Sequence, residues 1–252
     1  KTFEEKNGKI IVTRVPENEI IGKLRWFLRP VLARFSPHVS NLNSYKEVDD
    51  CLYFLGRTSE GGSLKSDYMF RVEVINPGRE VNVKDLERVK LTRKTDKRFL
   101  PIDNVKFKLE IYKLKESKGG KECVSADKRD FLVIGGTLLT LAYLGIGKAA
   151  NRGFGRFYAR KVNAKDENVV ELNNEILKGD IVGAFNLYYR TLGFDESKGK
   201  DWRSSKIPLA PLTSGTIKDD GIYISDSITN EFKSMSCCNK VVLKSTWKAY
   251  WN

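Results

Sequence analysis

Between Tyr143 and Lys161 the chain reads YLGIGKAANRGFGRFYARK, which sets Gly145, Gly147, Gly153 and Gly155 among Lys148, Arg152, Arg156 and Arg160. Glycine lets a backbone press close to a ligand, and the planar guanidinium fork of arginine matches a phosphate group. Phe154, Phe157 and Tyr158 are threaded through the same stretch. Aromatic faces between cations are where unstacked bases of a single strand rest. The segment therefore has the chemistry of a phosphate-backbone clasp. A solvated surface turn is the plainer alternative, because loop tips collect such residues. Gly145-x-Gly147-x-x-Ala150 also fits the dinucleotide fingerprint in its G-x-G-x-x-A form. That fingerprint needs a strand before it and a helix after it. Here the uncharged run from Phe131 to Ile146 is too long for a buried strand, and FYARKV after the glycines is β-like.

A second group of candidates lies near the start of the chain. From Glu19 to about Phe35, Ile20, Ile21, Leu24, Phe27, Leu28, Val31, Leu32 and Phe35 recur at helical spacing and predict one buried stripe. Gly22, Arg25, Trp26 and Arg29 then share the opposite face, where a large aromatic is unusual. Pro30 is expected to kink the helix or end its regular part near Arg29. His38, the single histidine, follows in a polar loop beside Pro37, with Tyr45 and Lys46 further on. A histidine there is a candidate general acid or base, with Tyr45 or Lys46 assisting, although a surface role is the commoner one. The pairs Asp49-Asp50 and Asp219-Asp220 read as exposed turns. No spacing for a metal site, a P-loop or a nucleophile elbow occurs, so no metal or cofactor is expected.

Composition narrows the partner. The 252 residues hold 45 Lys+Arg against 32 Asp+Glu, a formal charge of +13. Such a chain is suited to a polyanion, which it would hold by releasing counterions. A hydrophobic content of 40% is that of a globular protein. The uncharged run is shorter than the ~20 residues of a membrane span and reads as a buried helix. No charged-then-apolar leader opens the chain, so a cytoplasmic location away from membranes is expected. Cys51, Cys123, Cys237 and Cys238 are expected to be reduced, since none has metal spacing and adjacent cysteines bridge each other poorly.

The positioning elements follow from pattern. Strands are expected at Lys9–Val15, Tyr68–Ile75, Val105–Leu114 and Phe157–Val162, with LYFLG at Leu52–Gly56, a turn at Ser59–Ser63 and a basic insert from Lys84 to Arg98. With the two helices this gives β-α-β-β-α-β, the order of a ferredoxin-like fold. The polar stretch AKDEN, Ala164–Asn168, marks a boundary between domains at 1–164 and 165–252. Beyond it lie one helical pattern, Val169–Leu192, and short strands near Ile222–Ile224 and Val241–Leu243.

IIGKLRWFLR at Ile20–Arg29, YFLG at Tyr53–Gly56 and the glycine segment with its NRGFG core together resemble the RAMP superfamily of CRISPR proteins. Within it the chain looks most like the first-numbered RAMP subunit of the Cmr (type III-B) effector complex, whose helix carries K-G-x-x-R-W-W-x-R. Phe27 stands here for the second tryptophan, and the link RVPENE is short for that family. The resemblance implies an α+β protein of tandem ferredoxin-like (RRM-like) domains, each an antiparallel four-stranded sheet with helices on one face. It also implies a non-catalytic subunit that binds crRNA and target RNA beside other Cmr subunits, near the crRNA 3′ region. The residues implied as RNA contacts are Lys23, Arg25, Trp26 and Arg29 on the helix. In the loop they are Gly145, Gly147, Lys148, Asn151, Arg152, Gly153, Phe154, Gly155, Arg156 and Tyr158. The alternative on the same scaffold is a metal-independent crRNA-processing endoribonuclease using His38.

Overall fold

The structure, a computed structural model, describes residues 3–6, 9–59, 62–80, 102–116, 121–147, 150, 155–201 and 204–213. In chain order the elements are β1 (Phe3–Lys6), β2 (Lys9–Val12), α1 (Glu17–Phe35), α2 (Lys46–Cys51), β3 (Arg57–Ser59) and β4 (Gly62–Leu64). They continue with β5 (Tyr68–Asn76), β6 (Arg79–Glu80), β7 (Ile102–Asp103), β8 (Lys106–Lys113), α3 (Ala126–Leu139), α4 (Glu167–Lys178) and α5 (Ile181–Leu192). The chain divides into two compact units, one of residues 1–19 and 68–114 and one of residues 20–67 and 115–252. The architecture is mixed α and β, and every described strand pair is antiparallel.

In the first unit β5 and β8 form the longest ladder, with Tyr68 opposite Lys113 and Val74 opposite Phe107. Alternation decides the faces. Tyr68 and Phe70 are buried, while Met69, Arg71, Glu73 and Ile75 are exposed. The register sets Arg71 opposite Glu110 and Glu73 opposite Lys108 on that outer face, a favourable cross-strand arrangement. β1 and β2 make a second ladder, and the Val12 N–H donates to the Pro77 carbonyl at 3.3 Å. The expected four-stranded sheet is not what the described strands form, for they pair two by two.

The second unit is built around α3. Its glycines at 135 and 136 keep the surface low: a Cβ on Gly135 would lie 3.0 Å from Leu172 and Tyr188, and one on Gly136 would lie 2.9 Å from the Tyr188 hydroxyl and 3.0 Å from Leu24. α1, α4 and α5 press into that space. α1 runs without interruption through Pro30 instead of ending near Arg29. The segment of residues 200–201 and 204–210 lies along its C-terminal half, the Ala210 N–H donating to the Pro30 carbonyl at 3.0 Å. Arg34, buried, donates to the carbonyls of Ala210 at 2.7 Å and Lys200 at 2.6 Å and so holds that segment in place. Ile20, Leu24, Phe27, Leu28, Val31 and Leu32 are buried as their spacing predicts. Phe27 meets Phe185 and Tyr188 at ring separations of 6.1 and 5.9 Å.

Further expectations change. The single pattern over Val169–Leu192 is two helices, because Gly179 takes a left-handed φ of 77° and Asp180 then caps α5 by accepting from the Gly183 N–H at 2.9 Å. Both helices share the core of α1 and α3, lying past the boundary drawn at Ala164 yet packed with what precedes it. Phe157–Val162 is not a strand: the Phe157 N–H donates to the Leu141 carbonyl at 3.0 Å, and the Asn173 amide donates to the Ala159 carbonyl at 3.0 Å. The thiols of Cys51 and Cys123 are joined in a disulfide, with Cα atoms 5.4 Å apart, which corrects the expectation that they are reduced. They are 72 residues apart in sequence, so no local spacing announces the bond. The basic insert 84–98, the strands expected near residues 222–224 and 241–243, and Cys237 and Cys238 lie outside the described residues.

A crosslink closing a loop of that length restricts the unfolded chain and contributes about 2–4 kcal/mol. Cys123→Ala should therefore melt at a lower temperature than the wild type, and reductant should lower the wild-type melt toward it. Thermal melts with and without dithiothreitol check this, and coincident curves would show that the bond carries no stability.

Candidate nucleic-acid interface

Helix geometry places Gly22, Arg25, Trp26 and Arg29 at i, i+3, i+4 and i+7, one outward stripe of α1. Trp26 is 43% exposed, and nothing lies within 4 Å of where a Cβ on Gly22 would stand. Glycine in a helix interior costs about 1 kcal/mol relative to alanine, and at this site no neighbour in the fold requires it. Gly22 thus leaves a low step beside an exposed indole. Lys23 is half-buried on the adjoining face.

The two arginines of the stripe are not equivalent. Arg29 donates from Nε and Nη2 to the two carboxylate oxygens of Asp49 at 2.7 and 2.9 Å and lies 5.8 Å over the Tyr45 ring. Its fork is occupied by protein, while Nη1 of a side chain that is 35% exposed takes no part in that pair. Arg25 is held below its usual pKa, first by burial and then by the Arg29 cation, with Asp49 opposing the shift. Asp49 therefore serves both arginines. It sits in α2 and not in the exposed turn expected for the Asp49-Asp50 pair. Nothing in the sequence links positions 20 residues apart, so this partner was not visible there.

The glycine segment continues α3. Residues Thr140–Leu144 form a π-turn, which the Gly145 N–H closes onto the Thr140 carbonyl at 2.8 Å. The Ile146 N–H donates to the Gly155 carbonyl at 2.9 Å, so residues 146 and 155 pinch the base of the loop. Gly155 is required there twice over. Its φ is +66°, and a Cβ would lie 1.6 Å from the Ile146 carbonyl oxygen. Gly145 is buried and Gly147 exposed at the same base. Lys148, Asn151, Arg152, Gly153 and Phe154 lie outside the described residues.

Beyond the pinch, Arg156 is half-buried, hydrogen-bonds Tyr158 and is held below its usual pKa by burial. Tyr158 is 49% exposed. Arg156 lies within electrostatic reach of Tyr143, which belongs to the buried apolar run. Burial raises the Tyr143 phenol pKa, and the Arg156 cation opposes that. The remaining candidate, His38, is exposed, and its backbone N–H donates to the Ser36 hydroxyl at 3.3 Å. Tyr45 donates its own hydroxyl to the Pro208 carbonyl at 2.8 Å, and burial pushes its pKa up. Among the described residues no group of three or more His, Cys, Asp or Glu side chains could hold a metal, and no helix is long and apolar enough to cross a membrane.

The model of the RAMP superfamily matches residues 12–158, which is more than half of the chain and includes α1, α3 and the glycine segment. The chain belongs to the RAMP superfamily. Membership gives it a CRISPR-associated, RNA-binding role within RNA–protein complexes. No curated protein and no solved structure matches it.

The two glycines described here should respond to alanine with opposite signs. Gly22→Ala should stabilise by up to about 1 kcal/mol through helix propensity. Gly155→Ala should lower the melting temperature, because both its φ and the Ile146 carbonyl oppose a side chain. Calorimetry of the two variants checks the pair, and a shift of the same sign in both would contradict this placement.

Proposed function

We propose that this RAMP protein binds single-stranded RNA without cleaving it, as the first-numbered RAMP subunit of a type III-B Cmr ribonucleoprotein. It would lie near the crRNA 3′ region and help capture target RNA. The observation that carries the reading is the outward stripe of α1, where Trp26 stands exposed between the step at Gly22 and the cation of Arg25, with Arg29 behind it forked onto Asp49. A base stacking on the indole would place its phosphates near Arg25. The glycine segment, rooted in the same unit through α3, supplies a second cationic stretch in Lys148, Arg152 and Arg156. The ferredoxin-like sheet order and the second domain expected from the resemblance belong to the same proposal.

The rival reading is metal-independent processing of crRNA by His38, whose exposure is its support. Tyr45, one of the two neighbours expected to assist it beside Lys46, gives its hydroxyl hydrogen to the Pro208 carbonyl, which weighs against a His38–Tyr45 acid-base pair.

Binding of labelled single-stranded RNA should weaken steeply as salt rises, because phosphate contacts release counterions. Trp26→Ala should lose ~1 to 3 kcal/mol of affinity, the usual worth of one stacked base. Arg152→Ala combined with Arg156→Ala should abolish binding at moderate salt. Filter binding or fluorescence anisotropy measures all three, and full affinity in the double variant would count against the reading. Cleavage of a hairpin RNA in EDTA that disappears in His38→Ala would favour the rival.

A further inference from the structure

Helix α2 is six residues long, and no side chain caps its start. A helix that short does not persist on its own backbone bonds, so contacts made by its side chains must station it. Its first turn is fastened by Glu47, which accepts from the backbone N–H groups of Ser40 at 2.6 Å and Asn41 at 3.1 Å. Its last turn is fastened differently. Cys51 is bonded there to Cys123, just ahead of α3, and Asp49 in the same turn accepts both donors of the Arg29 fork. Glu47 and Lys121, which join the same two segments, stand 4.0 Å apart, too far for a hydrogen bond. The Arg29 and Asp49 side chains are 35% and 30% exposed, and an ion pair so open adds little attraction of its own. It forms because α2 is stationed there, and the disulfide is the covalent part of that station. All four residues belong to the second unit.

We propose that the Cys51–Cys123 disulfide is a redox latch on the outward stripe of α1: oxidised, it stations Asp49 against Arg29, and reduced by a dithiol, it lets Asp49 withdraw and leaves the Arg29 fork to a phosphate of the bound RNA. The latch rests on the RNA-binding reading and adds regulation to it. Withdrawal acts twice, since it frees a fork suited to phosphate and removes a carboxylate that repels one. Val48 and Leu52 are fully buried and keep the segment in the core when the bond opens, so the change is confined to the Asp49 end of α2. Cys123 is the less enclosed partner, 8% exposed against 2% for Cys51, so a thiolate of the dithiol attacks its sulfur. The Sγ–Sγ bond breaks, Cys51 leaves as a thiolate and takes up a proton, and Cys123 is held in a mixed disulfide. The second thiol of the reagent then displaces Cys123 as a thiol. Two electrons and two protons have passed to the protein, and the dithiol has become a disulfide.

Fluorescent single-stranded RNA titrated with oxidised wild type, and with wild type reduced by dithiothreitol, reads the latch at a temperature below both melts. Alkylation of Cys51 and Cys123, followed by mass spectrometry, reports the redox state of each sample. The reduced protein should bind on the order of tenfold more tightly, with a salt slope steeper by about one. Asp49→Ala should bind like the reduced wild type while its disulfide is intact, and dithiothreitol should add nothing further. Arg29→Gln should bind alike in both redox states. A wild type that binds RNA equally or more weakly once reduced overturns the latch alone. So does a redox difference that persists in Arg29→Gln, or a bond that dithiothreitol does not open in the folded protein. A wild type that binds no RNA in either state overturns both the latch and the RNA-binding reading.

Discussion

The second unit depends on how closely α3 lets other helices approach it. Two glycines on its buried face admit Leu24 of α1 together with Leu172 of α4 and Tyr188 of α5, and no side chain larger than hydrogen would fit at either position without displacing them. The Tyr188 hydroxyl, buried in that contact, donates to the Leu132 carbonyl at 2.8 Å, so the close packing leaves it satisfied. Everything proposed to meet RNA hangs from this arrangement. α1 offers its outer stripe only because its inner stripe is seated on α3, and the glycine segment starts where α3 ends.

Charge is distributed more selectively than the net +13 implies. Arg34 is consumed in holding Lys200 and Ala210 through their backbone carbonyls. Arg129 is buried 5.4 Å over the rings of both Tyr53 and Phe54, with Glu116 at 3.9 Å. Arg29 is forked onto Asp49. These arginines stabilise the fold or orient a neighbour, and their desolvation is tolerable because each has carbonyls, a carboxylate or aromatic faces around it. Arg129 and Arg156 each keep one buried nitrogen, Nη1 and Nε respectively, without a hydrogen-bonding partner. A basic composition therefore points to a polyanion, while the local partners of each cation decide which ones remain for it.

Much of the scaffold was legible. The apolar recurrence in α1, the uncharged run of α3 and the alternation of β5 and β8 each reflect burial on one face, a property that sequence spacing records directly. The legible part of the candidate site was likewise its outward chemistry: Trp26 and Arg25 on the helix, and the glycines of the loop. Illegible were contacts between distant positions. Asp49 with Arg29 and Cys51 with Cys123 each join segments whose meeting depends on packing. FYARKV misled for the same reason, since its β-branched and aromatic character suits a strand while its backbone bonds went to Leu141 and to an Asn173 side chain.

By itself the sequence determined which residue types could reach a ligand and which faces of the helices had to be buried, because periodicity and side-chain chemistry are local properties. It also marked the glycine segment as a turn, although only the carbonyl of Ile146 shows why Gly155 tolerates no side chain, whereas the break at Gly179 reads in the sequence as continuous helix. Tertiary structure alone decided which cations are already paired, which thiols are joined, and which buried donors are left without a partner. Those outcomes depend on distances between elements, and no spacing along the chain encodes them.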